Sequence, residues 1–216
     1  MLANEGAGVV CIGRNEERMD EVTATIEKAG GKAIPCLGDI SKADTAKAAA
    51  ALAVEHFGKI DICCATAGVF DQFVPSHELS EEKWNFFMDA NVKSVFLLVN
   101  AVLPNMLANE NGSLIIMSSI AGLTGNSGGA VYTTTKHALV GYTRQLCIDY
   151  AAKGIRANAI CAGSVRTPIL DRIFEEFPEE RAETVLREIP AKRIGEPEDI
   201  GWLTVYLASD KSAWIN

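Results

Sequence analysis

The stretch 113–136 reads SLIIMSSIAGLTGNSGGAVYTTTK, and it decides both the fold and the chemistry of the chain. It opens on an apolar run, 114–117, that is short enough to be a buried strand. Two serines and a glycine-rich turn follow, and the stretch closes on a predicted helix that carries Tyr132 and Lys136. Residues four positions apart share one face of a helix, so we expect the phenol and the ammonium group to point the same way.

The side chains at the end of this stretch predict proton-transfer chemistry. An ammonium group beside a phenol favours the phenolate, so we expect Lys136 to lower the pKa of Tyr132 below its ordinary value of about 10. Ser119 follows the predicted strand and can face the phenol. The three groups suit proton exchange with a carbonyl or alcohol oxygen. When a tyrosine and a lysine occur at this spacing, the tyrosine is more often simply packed in the core and the lysine solvated. The assignment of a catalytic role therefore depends on the rest of the chain.

Predicted strands and helices alternate along the chain, which is typical of a doubly wound α/β fold with a parallel, Rossmann-like sheet. The predicted strands are 9–12, 32–37, 60–65, 114–117 and 155–160. The predicted helices are about 15–29, 41–57, 80–108, 130–153 and 197–208. We expect Asn15, a capping box of Ser41 and Asp44, and Ser80 to start the first three helices. No repeat or linker interrupts the pattern, which predicts a single domain over residues 1–216.

Composition excludes several classes of function. The formal net charge of −8 argues against nucleic acid or an anionic membrane surface as the main partner. No uninterrupted apolar run is long enough to span a bilayer, and no signal peptide is recognisable. We therefore expect a cytoplasmic protein. The six cysteines form no Cys-x-x-Cys pair and the three histidines are scattered, which predicts free thiols and no metal site.

Small or polar residues follow each of five predicted strands, at the edge of a parallel sheet where ligands bind. These sets are Gly13-Arg14, Asp39-Ile40, Ala65-Thr66-Ala67-Gly68, Ser118-Ser119, and the run Cys161-Ala162-Gly163-Ser164-Val165-Arg166-Thr167-Pro168. Glycine and alanine allow a flat ligand to approach the backbone. Any one set alone would be an ordinary turn. The series, with serine, tyrosine and lysine among it, favours an extended cofactor.

On these motifs, the chain resembles the short-chain dehydrogenase/reductase family over nearly its whole length. Ser119 stands at the family's distance from the Tyr132-x-x-x-Lys136 motif, and Asn91 matches the family's proton-relay asparagine. The resemblance implies that Tyr132 exchanges the proton, that Lys136 also holds the nicotinamide ribose, and that Ser119 orients the substrate oxygen. It implies a small-molecule secondary alcohol or ketone as substrate. Acyl-carrier-linked, steroid and sugar-alcohol substrates all stay open.

The resemblance also implies an NAD(P) cofactor along the strand ends. Asp39 and Ile40 match the family's pair at the adenine, and Thr167 falls where the family contacts the nicotinamide carboxamide. The residues expected to contact the cofactor are Arg14, Asp39, Ile40, Ala65, Thr66, Ala67, Gly68, Tyr132, Lys136, Val165 and Thr167. The stretch 65–68 replaces the family's Asn-Asn-Ala-Gly, which leaves its backbone for contacts.

The residues after the first predicted strand favour NADP over NAD. Family members that prefer NAD usually carry an acid at the place of Gly13, and such an acid would repel a 2′-phosphate. Arg14 would instead attract the phosphate. A solvated loop charge is the alternative for Arg14, and NAD stays open as the cofactor.

The family's first strand, its glycine-rich loop and its final strand have no counterpart in the sequence, so we expect a fold that is incomplete at both ends. The first strand of a doubly wound sheet lies at its centre. The strands at Val9 and Ile60 would then lack a shared neighbour, or would pair directly and bind cofactor weakly or not at all. The alternative to an enzyme is a truncated homologue that acts as a scaffold or partner subunit through its long helices.

Two further expectations come from the resemblance alone. It implies a homodimer or homotetramer formed through the helices 80–108 and 130–153. It also implies that the segment 166–188 covers the substrate.

Overall fold

The computed structural model describes residues 1–171 and 186–216, and its strands form two parallel sheets. In the first, β1 (Gly8–Gly13) pairs with β2 (Lys32–Leu37), residue for residue along their length. In the second, β4 (Gly112–Met117) lies between β3 (Ile62–Ala65) and β5 (Ile155–Ile160). Every pairing is parallel, which confirms the predicted α/β class.

The sheet predicted from the sequence is divided between β1 and β3. Within the described ranges these two strands do not pair, and a cavity of about 760 Å³ lies between them. Both strands line this cavity, together with Leu98 and Val102 from the helix behind it. Among the residues that the structure describes, no strand lies between β1 and β3, and the alternative in which these two strands pair directly is wrong.

The helices follow the predicted order. They are α1 (Glu16–Lys28), α2 (Ala43–Phe57), α3 (Glu81–Met88), α4 (Ser94–Ala108), α5 (Ala130–Tyr150) and α6 (Pro197–Ala208). Asn15 and Ser80 cap α1 and α3, because their side chains accept the backbone N–H groups of Arg18 and Lys83.

The predicted capping box at the start of α2 is wrong. The Asp39 carboxylate accepts the backbone N–H of Ser41 at 2.9 Å, so Ser41 belongs to the turn before the helix. The residue before the first helical turn is Lys42, whose side chain makes no capping hydrogen bond. A local side-chain turn has therefore displaced the helix start.

The core is organised around β4, whose side chains alternate between two faces. Leu114 and Ile116 pack with residues of α4 and α5, whereas Ile115 packs with Leu207 of α6. All three strand side chains are at most 1% exposed. Helices therefore cover both faces of this sheet, as a continuous apolar strand requires.

One described helix, Glu81–Ala108, is long and apolar enough to cross a membrane when only length and composition are considered. A buried core helix passes the same test. Val99 and Met106 on this helix are fully buried in the core, and Asn100 and Pro104 interrupt its apolar run. Part of this helix therefore packs in the core against the sheet.

Gly154 forms the turn that leads into β5. Its φ is +77°, and a Cβ there would collide with the backbone oxygen of Glu110. We expect Gly154→Ala to lower the free energy of unfolding by more than about 1 kcal/mol. Gly6→Ala is the matched control, since Gly6 also has a positive φ of +93° but has open space around its Cβ. Urea unfolding measures both variants, and equal losses would contradict the collision.

Candidate active site

Tyr132 and Ser119 meet at the end of β4, as the sequence predicted. Tyr132 lies in the first turn of α5, and Ser119 stands two residues beyond the end of the strand. The Ser119 side chain lies beside the Tyr132 phenol and acts to lower its pKa. The Ser119 hydroxyl oxygen also accepts the backbone N–H of Ala121 at 3.1 Å, which fixes the serine in place.

Lys136 lies one helical turn after Tyr132 and is only 4% exposed. Its Nζ donates to the backbone oxygen of Met117, the last residue of β4, at 2.9 Å. The same nitrogen lies 5.5 Å from the centre of the Tyr132 ring. Burial lowers the pKa of Lys136 from 10.5 to about 8.

The predicted lowering of the Tyr132 pKa is wrong for this structure. The pKa of Tyr132 is raised, chiefly because burial disfavours the phenolate and further because Asp71 lies nearby. The hydrogen bond with Ser119 acts in the opposite direction. Lys136 faces the ring and the Met117 carbonyl, and its own charge is disfavoured by burial. Tyr132 therefore holds its proton at neutral pH.

Asn91 is fully buried in a π-helical turn, Asp89–Lys93, that joins α3 to α4. Its side chain accepts the N–H of Val69 at 2.7 Å and donates to the Val69 oxygen at 3.0 Å. It also donates to the Thr135 hydroxyl on α5 at 3.1 Å. These bonds tie the loop after β3 to the helix that carries Tyr132. The proton-relay role of Asn91 stays a prediction.

Gly68 marks the point where Asn91 and Lys136 converge. A Cβ built on this glycine would lie 3.5 Å from Oδ1 of Asn91 and 3.6 Å from Nζ of Lys136. Gly68 follows β3 together with Thr66 and Ala67, so the backbone here borders both polar groups.

The residues predicted to hold the adenine side lie on the other sheet. Arg14 follows β1 and is exposed, and Asp39 follows β2. The pKa of Asp39 is lowered, first by its hydrogen bond from Ser41 and further by the charge of Arg14. Ile40 packs against the main core.

The remaining predicted contacts follow β5. Val165 forms a parallel bridge with Gly195, and the Thr167 hydroxyl donates to the Val165 oxygen at 3.3 Å. The segment 166–188, predicted to cover the substrate, lies largely outside the described residues, because 172–185 are not described.

Sequence reasoning missed Asp71, which is 2% exposed beside Tyr132. Its carboxylate accepts the backbone N–H groups of Gly129 and Tyr132, both at 2.8 Å. The preceding Phe70 ring lies edge-on to the Tyr132 ring, with the two centres 4.8 Å apart. An acid inside the apolar run 69–74 is the signal that could have identified this residue.

The lysine at this site fits the ribose of a nicotinamide cofactor. Lys136 is buried and forms no ion pair with a described carboxylate. One of its three N–H groups donates to the backbone oxygen of Met117. Its other donors are suited to the hydroxyl groups of a sugar.

Comparison with curated proteins gives relatives over the whole chain. The family model described as enoyl-(acyl carrier protein) reductase matches residues 1–216. Oxidoreductase UcpA of Salmonella typhimurium is 35% identical, over 100% of this chain and 83% of UcpA. The 3-oxoacyl-[acyl-carrier-protein] reductase FabG of Thermotoga maritima is 31% identical, over 100% of this chain and 85% of FabG. Dehydrogenase/reductase SDR family member 4 of Oryctolagus cuniculus is 31% identical, over 99% of this chain and 82% of that protein.

Solved structures match the fold closely. Levodione reductase has a TM-score of 0.94 and 27% identity, covering 100% of this chain and 86% of its own. A gluconate 5-dehydrogenase from Burkholderia cenocepacia J2315, solved with NADP and tartrate, has a TM-score of 0.91 and 27% identity, covering 100% and 83%. These matches confirm the Rossmann-like fold. The chain therefore belongs to the short-chain dehydrogenase/reductase family of NAD(P)-dependent oxidoreductases.

Proposed function

We propose that this oxidoreductase interconverts a secondary alcohol and a ketone, with Tyr132 exchanging a proton with the substrate oxygen. The observation that supports this most strongly is that Ser119, Tyr132 and the buried Lys136 come together at the end of β4. A nicotinamide cofactor supplies or accepts the hydride when bound. The chain's own task is to position the substrate oxygen and to handle its proton.

Each side chain at the end of β4 has a separate role in this proposal. Ser119 is held in place by the N–H of Ala121, which its oxygen accepts, and its hydroxyl orients the substrate oxygen beside Tyr132. Tyr132 keeps its proton in the resting site because burial raises its pKa, and it donates that proton as a ketone becomes an alcohol. Lys136 binds the ribose of the cofactor, and Asn91 supports a water relay to it.

The substrate class is tested by a panel of ketones. The named relatives act on different compounds, since one is a 3-oxoacyl carrier protein reductase and another a levodione reductase. Phe70 packs edge-on against Tyr132, and Phe73 packs edge-on against Phe70, which favours a substrate with an apolar body. NADPH consumption should be followed with ketoacyl thioesters, steroid ketones and sugar ketones. Turnover of one class, lost in Tyr132→Phe, is the required result, and turnover unaffected by that substitution would contradict the proposal.

We propose NADP as the preferred cofactor because Arg14 is exposed at the end of β1, near Asp39. Arg14→Ala removes the positive charge available to a 2′-phosphate. We expect kcat/KM for NADPH, relative to NADH, to fall by about tenfold or more. Arg18→Ala on the exposed face of α1 removes the same charge nearby and is the control. An unchanged ratio in Arg14→Ala would contradict the preference.

We also propose that residues 1–216 fold as a single domain and that the chain forms a homodimer or homotetramer through the helix pair α4 and α5. The exposed aromatic and aliphatic side chains Phe96, on α4, and Ile148, on α5, support such an interface, since they are 50% and 78% exposed. We propose the cytoplasm as the compartment, because all six cysteines are free.

A second candidate, a scaffold or partner subunit that binds no cofactor, is favoured by the divided sheet. Arg14 and Asp39 stand on the sheet of β1 and β2, whereas Tyr132 and Lys136 stand beside the sheet of β3, β4 and β5. A dinucleotide would have to bridge the cavity between β1 and β3. The two candidates make opposite predictions for NADPH binding.

A further inference from the structure

The loop after β3 is fastened to the start of α5 by one buried side chain. The N-cap residue of α5 is Gly129, which has no side chain with which to cap its own helix. Asp71, distant in sequence, takes that place: Oδ1 accepts the N–H of Gly129 and Oδ2 accepts the N–H of Tyr132, both at 2.8 Å. Backbone bonds reinforce the junction, since Ala130 donates to Val74 at 3.1 Å.

The absence of a side chain at Gly129 makes this contact possible. A Cβ at Gly129 would lie 2.6 Å from Oδ2 of Asp71 and 2.6 Å from the backbone nitrogen of Val74. The loop itself adopts an unfavourable backbone to bring the carboxylate there, because Gln72 and Phe73 have φ values of +53° and +60°. Such conformations persist where the surroundings enforce them, often at functional sites.

We propose that Asp71 is the positioning residue of the catalytic helix, holding the first turn of α5, and Tyr132 with it, against the loop that follows β3. This inference rests on the proposed role of Tyr132. The Asp71 carboxylate sets where the phenol lies relative to Ser119, and it also brings the Phe70 ring against the phenol. Asp71 places a negative charge close to the phenol, and this charge keeps the proton on Tyr132.

The charged groups that face Tyr132 in the described part of the chain are Asp71 and Lys136. Burial is the main reason that the pKa of Tyr132 is raised, and the charge of Asp71 adds to it. Replacing Asp71 by an uncharged residue of the same shape therefore lowers the pKa of Tyr132. A purely structural cap would change stability and leave the kcat of the folded protein unchanged.

The test is a spectroscopic titration of tyrosinate in Asp71→Asn, which needs neither substrate nor cofactor. The chain has four tyrosines, so the Tyr132 signal is taken as the difference between each protein and the same protein carrying Tyr132→Phe. We expect the Tyr132 pKa to be lower in Asp71→Asn than in the wild type. Where turnover is measurable, we expect kcat to fall about 10- to 100-fold, with the alkaline limb of its pH profile moved to lower pH.

Two further variants complete the test. Ser80→Ala removes the cap of α3, and it should reduce stability while leaving the Tyr132 pKa unchanged. If Asp71→Asn does not fold, Asp71→Ser keeps a hydroxyl acceptor for the helix start without the charge, and the same lower pKa is expected. An unchanged Tyr132 pKa in the folded variant would overturn the inference. Absence of turnover in the wild type would overturn only the proposed function, because the titration does not depend on it.

Discussion

Tyr132→Phe is expected to reduce kcat by about 10²- to 10⁴-fold, the range that general acid–base catalysis contributes. The substitution removes only the hydroxyl group, so the ring keeps its edge-on packing against Phe70. The hydroxyl is the group beside Ser119, and its loss removes the phenolic proton donor at the end of β4. Steady-state kinetics with the best ketone of the panel, and thermal unfolding of the same preparation, measure the two properties.

The control for this prediction is Tyr142→Phe, which removes a phenol from the same helix, ten residues further along α5. We expect near wild-type kcat for this variant. Wild-type kcat in Tyr132→Phe, with a folded protein, would show that the proton comes from elsewhere.

Lys136→Met is expected to make the protein more stable and less active. The pKa of Lys136 is lowered from 10.5 to about 8 by burial, so the unfolded chain binds more protons between these two pH values. The buried amine therefore costs stability in full below about pH 8, and the cost disappears as the pH rises towards 10.5. At pH 7 we expect the variant to gain on the order of 1–3 kcal/mol in free energy of unfolding, after the lost bond to Met117 is counted.

Urea unfolding of both proteins across this pH range tests the sign. The gain should be constant below about pH 8 and should shrink above it. Lys93→Met, at an exposed lysine paired with Asp89, is the control and should show no such pH dependence. The kcat/KM of Lys136→Met should fall on the order of 100-fold, because the amine proposed to position the ribose is gone. A destabilised variant at pH 7 would contradict the account of the buried amine.

Local signals were enough to predict most of the secondary structure. The bounds of β2 and β5 agree with the apolar runs bordered by glycine, and α6 begins at Pro197 as predicted. A proline is favourable in the first turn of a helix, so the start of α6 can be predicted from the sequence. The meeting of Tyr132 with Ser119 was also predictable, because helical spacing and the strand end bring them together.

The features that were not predicted depend on contacts across the chain or on burial. The carboxylate of Asp71 acts on residues 58 and 61 positions further along, and no local pattern marks such a pair. The π-helical turn at Asp89–Lys93 has no sequence signature of its own. The shift of the Tyr132 pKa was predicted in the wrong direction. The spacing of residues in the sequence reveals a neighbouring charge, but it does not reveal that burial removes water from the phenol.

The prediction of where α2 begins was wrong for a different reason. Ser41 and Asp44 have the pattern of a capping box. In the structure, however, the Asp39 carboxylate accepts the backbone N–H of Ser41 that the capping box would have used. Two local interactions of similar strength were available, and the structure was needed to decide between them.

Isothermal titration calorimetry of the folded 216-residue chain with NADPH tests the central claim most directly. The account predicts saturable binding of one NADPH per chain, weakened by Lys136→Met and unchanged by Lys93→Met. A folded sample that releases no heat of binding, at several temperatures, would contradict the enzyme and favour the scaffold.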